Sequence, residues 1–65
     1  MNERAFQKQL ASLVTRYDAA MRAPKKEKDA FDDEWNGMMM ACNEEQAGRA
    51  LDLLTLHSTN KMFTQ

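Results

Sequence analysis

Apolar residues recur along the first third of the chain at Phe6, Leu10, Leu13, Val14, Tyr17 and Met21, in steps of four, three, one, three and four. That spacing lays one stripe along an α-helix and predicts a helix over 3–22, with Arg4, Lys8, Gln9, Ser12, Arg16 and Asp18 on a solvated, mostly basic side. Ala23-Pro24 ends it, because proline disfavours helical backbone at the preceding residue and has no amide hydrogen to donate.

The pattern returns at Phe31, Trp35, Met38, Met39 and Cys42 and predicts a second helix over 28–42. Asp32, Asp33 and Glu34 load its early turns, where the positive end of the helix dipole favours carboxylates. Lys25 to Asp29 read either as a charged connection or as an exposed first turn directly after Pro24. Gly37 costs such a helix about 1 kcal/mol relative to alanine, so either the helix tolerates it or, as the favoured expectation, a neighbouring backbone comes close there.

Asn43 has the character of an N-cap. Its side chain can accept from a first-turn amide, Gln46 stands three residues on as in a capping box, and Glu44 and Glu45 meet the dipole. The third helix is expected over 44–57, and its Ala47, Ala50, Leu51, Leu53, Leu54 and Leu56 spread around more than one stripe. That spread predicts burial on two sides, which would make this the central helix. Ser58, Thr59 and Asn60 are good caps and poor helix interiors, so a break is expected there, with 58–65 a frayed tail or the start of a further helix.

The fold class is therefore all-α: a three-helix antiparallel bundle or an array of helical hairpins, forming one domain or segment over 1–65. At 65 residues, folding buries only about 60% of the unfolded chain's surface, so stability is marginal. A single cysteine permits no internal disulfide, which fits a reducing compartment. No run approaches the roughly 18 apolar residues of a membrane span, and no charged segment followed by an apolar one opens the chain. Net charge is −1, but residues 1–28 carry seven Lys/Arg against three Asp/Glu and residues 29–65 carry two against seven. Oppositely charged helices lying side by side account for that split.

Candidate chemistry is sparse. His57 and Cys42 are the only soft metal ligands, whereas a structural zinc site takes four with short paired spacings, so no metal and no cofactor are expected. The same two residues offer a nucleophile and a base without a third group to orient them, and an enzyme is not expected; a thiol packed between helices is the plainer reading of Cys42. Asp29, Asp32, Asp33 and Glu34 lack the glycine and alternating ligands of a calcium loop and read as a solvated helix start. Lys25, Lys26 and Lys28 are too few for a nucleic-acid footprint. Three consecutive methionines, Met38, Met39 and Met40, cannot all face one core, so at least one points elsewhere. Methionine adapts to varied partners, and tryptophan anchors both cores and binding sites. Trp35, Met38, Met39 and Met40 are thus the candidate partner-binding residues, with core filling as the alternative.

From Trp35 onward the order is a helix ending Met38-Met39-Met40-Ala41-Cys42, a polar turn Asn43-Glu44-Glu45-Gln46, then Arg49-Ala50-Leu51-Asp52-Leu53 and a break from Ser58 to Lys61. This resembles the C-terminal helical domain of the eukaryotic replisome hub known in yeast as the chromosome transmission fidelity scaffold and in animals as the acidic nucleoplasmic DNA-binding protein. Ala41-Cys42 and Arg49 to Leu53 carry the match, while Trp35-Asn36-Gly37 stands where that family has a leucine-rich run. The resemblance implies a fragment of a larger nuclear scaffold, a DNA-replication helical bundle that docks short helical peptides from replicative helicase and polymerase subunits. The contrasting expectation is a free-standing small regulatory protein of a phage or bacterium, cytoplasmic, which binds a host protein or self-associates as a homo-oligomer. Both are non-catalytic protein-protein interaction roles.

Overall fold

The structure, a computed structural model, describes the backbone of residues 1–64 and the side chains through Asn60. It contains three helices, α1 (Glu3–Arg22), α2 (Lys25–Ala41) and α3 (Glu44–Thr64), joined by turns of two residues. The expected all-α, three-helix architecture is what the chain adopts.

Local chemistry sets most of the helix ends. Asn2 caps α1, its Oδ1 accepting from the Ala5 amide at 3.2 Å. Pro24 precedes α2, and its carbonyl accepts from the amides of Glu27 and Lys28. The lysine-rich run is therefore the first turn of α2, three residues earlier than the apolar spacing suggested. Asn43 and Gln46 form the expected capping box: the Gln46 amide donates to Asn43 Oδ1 at 2.8 Å, and the Asn43 amide donates to Gln46 Oε1 at 3.2 Å.

The break expected at Ser58 to Asn60 does not occur, and α3 continues to Thr64. Serine, threonine and asparagine each weaken a helix interior by only about half a kcal/mol, and no proline or glycine follows to force a stop. The tail is thus neither a separate element nor a loop through residue 64.

The central helix is α1, not α3. Both α2 and α3 pack on α1 and only marginally on each other. The buried cluster joins Phe6, Leu10 and Leu13 of α1 to Phe31 and Met38 of α2 and Ala50 of α3. Around it Val14, Tyr17, Ala20, Met21, Trp35, Met39 and Cys42 are half-buried. The physical reason is geometric: Phe6, Leu10 and Leu13 form a line on α1 narrow enough for two neighbours to bury, whereas Leu51, Leu53, Leu54 and Leu56 point in four directions, at about 100° per residue, and no single neighbour can cover them. The Cα trace measures 33 × 29 × 16 Å, thin in one direction, as expected when two helices flank a third.

Gly37 does not serve close packing. A Cβ placed there meets nothing within 4 Å, and the same holds for Gly48. Gly37 lies on the exposed side of α2, beside the buried Met38 in sequence but turned about 100° from it.

Gly37→Ala should therefore stabilise the fold by about 1 kcal/mol, visible as a rise in melting temperature of about 4–8 °C by circular dichroism. Leu13→Ala, at a fully buried position, should cost about 2–5 kcal/mol; a melting temperature unchanged by that substitution would contradict the packing described.

Candidate protein-interaction surface

The four residues singled out in the second helix are not brought to one surface. Met38, seven residues after Phe31 and so two turns along the same face, is 1% exposed and belongs to the core. Trp35 and Met39 flank that face and pack against the cluster while remaining half-buried. Met40, two residues past Met38 and turned about 200° from it, is 88% exposed on the outer side of α2. One of the three methionines thus fills the core, one borders it and one faces solvent.

The larger apolar exposure is on α3. Leu51, Leu53 and Leu56 are 51%, 39% and 56% exposed, and Leu54 is half-buried. Leu53 stands on the wall of a shallow groove between α1 and α3, lined also by Gln7, Leu10, Ala11 and Arg49. Leu56, three residues further along, continues that flank of α3. A second groove lies between α1 and α2, floored by Ala19, Ala20, Ala30 and Phe31 and edged by Glu27 and the Arg16–Glu34 pair at 2.7 Å. Such open, apolar hollows with polar edges suit a side chain from another protein better than an enclosed small molecule.

A charged clasp fixes α3 against α1 at the base of the first groove. Arg49 donates to Glu3 through both guanidinium ends, Nη1 to Oε1 at 2.9 Å and Nη2 to Oε2 at 2.8 Å, and lies over the Phe6 ring with its Cζ 5.2 Å from the centroid. Gln46 is 3% exposed and fully engaged: its amide nitrogen donates to the Met1 carbonyl at 2.8 Å and to Glu3 Oε1 at 3.4 Å. Its oxygen is the one that closes the capping box. The Arg49 guanidinium, more than the contacts from Gln46 and Gln7, lowers the Glu3 carboxyl from its ordinary 4.5 to about 2, against a smaller opposing effect of desolvation. The paired Glu3 correspondingly raises Arg49.

Further along, His57 Nε2 lies 3.3 Å from Asp18 Oδ2, and its ring meets the edge of Tyr17 at 6.4 Å between centroids. This contact holds the middle of α3 to α1. It also separates the two residues considered for chemistry: Cys42 sits at the end of α2, while His57 is 13 residues into α3, about 20 Å along the helix axis. Cys42 is half-buried against the core, the environment of a packing thiol. Among the described residues no three His, Cys, Asp or Glu side chains gather as metal ligands, and no helix is long and apolar enough to cross a membrane.

Set against protein-family models, curated proteins and solved structures, the chain matches none.

Sequence reasoning singled out Trp35 and the three methionines, which do not share one surface, and missed Leu53 and Leu56 as surface residues and the Glu3–Arg49 clasp. The signal for the leucines was present in their consecutive spacing, which no single packing direction can absorb.

Because the folded Glu3 titrates below its unfolded value, the clasp contributes stability in full above about pH 4.5 and loses it as pH falls toward 2. Glu3→Gln should flatten that limb of the stability-against-pH curve while leaving the neutral-to-alkaline limb parallel to wild type. Urea melts at pH 7, 4 and 2.5 check this, and an undiminished acid limb in the variant would contradict the assignment.

Proposed function

We propose that this chain is a non-catalytic helical module whose role is to hold a protein partner. The observation supporting this reading is the apolar surface that α3 leaves exposed: Leu53 and Leu56 stand along a groove lined by Leu10 and Ala11, and Leu51 is exposed on another side of the helix. A 65-residue chain with marginal stability gains nothing from such exposure when alone, whereas burying each leucine against a partner contributes about 1.5–3 kcal/mol to binding. The clasp and the His57–Asp18 contact support the same reading, since they hold the groove's two walls at a fixed spacing before a partner arrives.

The partner chemistry that fits is an amphipathic helix presenting apolar side chains at one-turn spacing. Under the resemblance of residues 35–61 to the replisome-hub domain, those helices are short peptides of replicative helicase and polymerase subunits, and the module works in the nucleus as part of a larger scaffold.

Fluorescence anisotropy with labelled helical peptides from such subunits tests the replication version. Binding should weaken ten- to hundred-fold in Leu53→Ser/Leu56→Ser, the equivalent of losing about 1.4–2.8 kcal/mol, while the melting temperature stays within a few degrees of wild type. Absence of binding removes the replication partner. A photo-crosslinkable phenylalanine analogue at position 53, compared with one at Asp29 on the polar side of α2, tests the broader claim: no adduct with any protein specific to position 53 would sink it.

A further inference from the structure

We infer that the outer face of α1 is a docking site for the outer face of α3 of a second copy of this chain, a front-to-back contact distinct from the groove. On the side of α1 opposite Phe6, Leu10 and Leu13, helical spacing brings Arg4, Lys8, Thr15, Ala19 and Arg22 together, all exposed. That arc holds three cations and no carboxylate. Among the described residues Arg4, Lys8 and Arg22 make no ion pair, while Glu3 is paired with Arg49 and Glu34 with Arg16, and Asp18 lies against His57.

The side of α3 opposite Gln46 and Ala50 has the reverse character. Glu45, Gly48, Asp52, Thr55 and Thr59 share it, all exposed, with Leu51 and Leu56 along its two borders. Among the described residues it carries carboxylates and no cation. Arg49 feels the charge of Glu45 but is held by Glu3 on both guanidinium ends. Both faces are low. Ala19 and Thr15 crown one, and the other centres on Gly48, where a Cβ would meet nothing within 4 Å. Two helices with small residues at their midlines approach closely, which lets bordering leucines cover the facing alanines.

The charges are opposite in sign, and their spacings differ by less than the reach of a long basic side chain. Arg4 and Lys8 are one turn apart, about 6 Å, and Glu45 and Asp52 are two turns apart, about 10 Å. The reach of the long basic side chains spans the difference whichever way the helices run. Positive and negative faces on one small molecule, pointing in different directions, make each copy able to receive one neighbour and offer itself to another. Such heterologous contacts propagate instead of closing at two copies.

Sedimentation equilibrium of the full chain at low ionic strength should show a mean mass that climbs past the dimer with concentration. In about 0.5 M sodium chloride, where the Debye length is about 4 Å, it should fall toward the monomer. Two neutralised variants give the sharper result. Arg4→Gln/Lys8→Gln/Arg22→Gln lacks the receiving face, Glu45→Gln/Asp52→Asn lacks the offering one, and each alone should remain monomeric. An equimolar mixture retains one good contact and should stop at the heterodimer. The inference is overturned by a wild-type chain that stays monomeric at low salt, by an oligomer indifferent to salt, by either variant assembling like wild type, or by a mixture that stays monomeric. Leu56 borders both surfaces, so Leu53→Ser alone separates the two: it should weaken peptide binding in the groove and leave this assembly unchanged, and either can fail while the other succeeds.

Discussion

The stripe of Phe6, Leu10 and Leu13 along α1 is the constraint on which the remaining structure depends. A chain this short cannot build two apolar layers, so every helix that folds must cover part of that one face. Two helices suffice to bring Phe6 and Leu13 to complete burial, and α2 and α3 meet each other only marginally. The flat outline and the two open grooves follow from the same arithmetic of one stripe and two lids.

Polar groups then decide where the lids sit. Gln46 is the most constrained of them, since a single buried amide caps α3 with its oxygen and anchors the Met1 carbonyl with its nitrogen. A glutamate in its place would preserve the capping box and lose the donor, placing a second carboxylate beside Glu3. The residue's identity is therefore fixed by the tertiary contact and not by the helix start, which glutamate serves as well. Arg49 works beside it in a different manner, binding Glu3 edge-on while its face covers Phe6, so a charge shields the end of the core from water.

What could be read in advance was local. The stripe of α1, the stop at Pro24 and the Asn43–Gln46 box each rest on residues within a turn or two of one another, and all three are present as expected. What escaped depended on distance or on counting. Glu3 and Arg49 lie 46 positions apart, with nothing near either to point at the other. The spread of apolar residues around α3 suggested a central helix buried on two sides, yet only the side with Gln46 and Ala50 is buried, and Leu51, Leu53 and Leu56 remain exposed. Ser58, Thr59 and Asn60 looked like a boundary because caps favour such residues, but a preference of a few tenths of a kcal/mol does not end a helix that has no competing partner for its amides. The methionine run was legible only as a statement that its members diverge; the phase set by Phe31 settled which one is buried.

The Gln46–Met1 and Arg49–Glu3 bonds also give the molecule a fixed order of completion during synthesis. They join the first residues to residues 45 and 46 positions later. While the ribosome is still adding α2, α1 can pair with it as a local hairpin, but the Phe6 end has no lid and Met1 no acceptor role to fill. The Phe6 end therefore closes only after the first two turns of α3 fold back onto it, a later event than pairing of the α1–α2 hairpin.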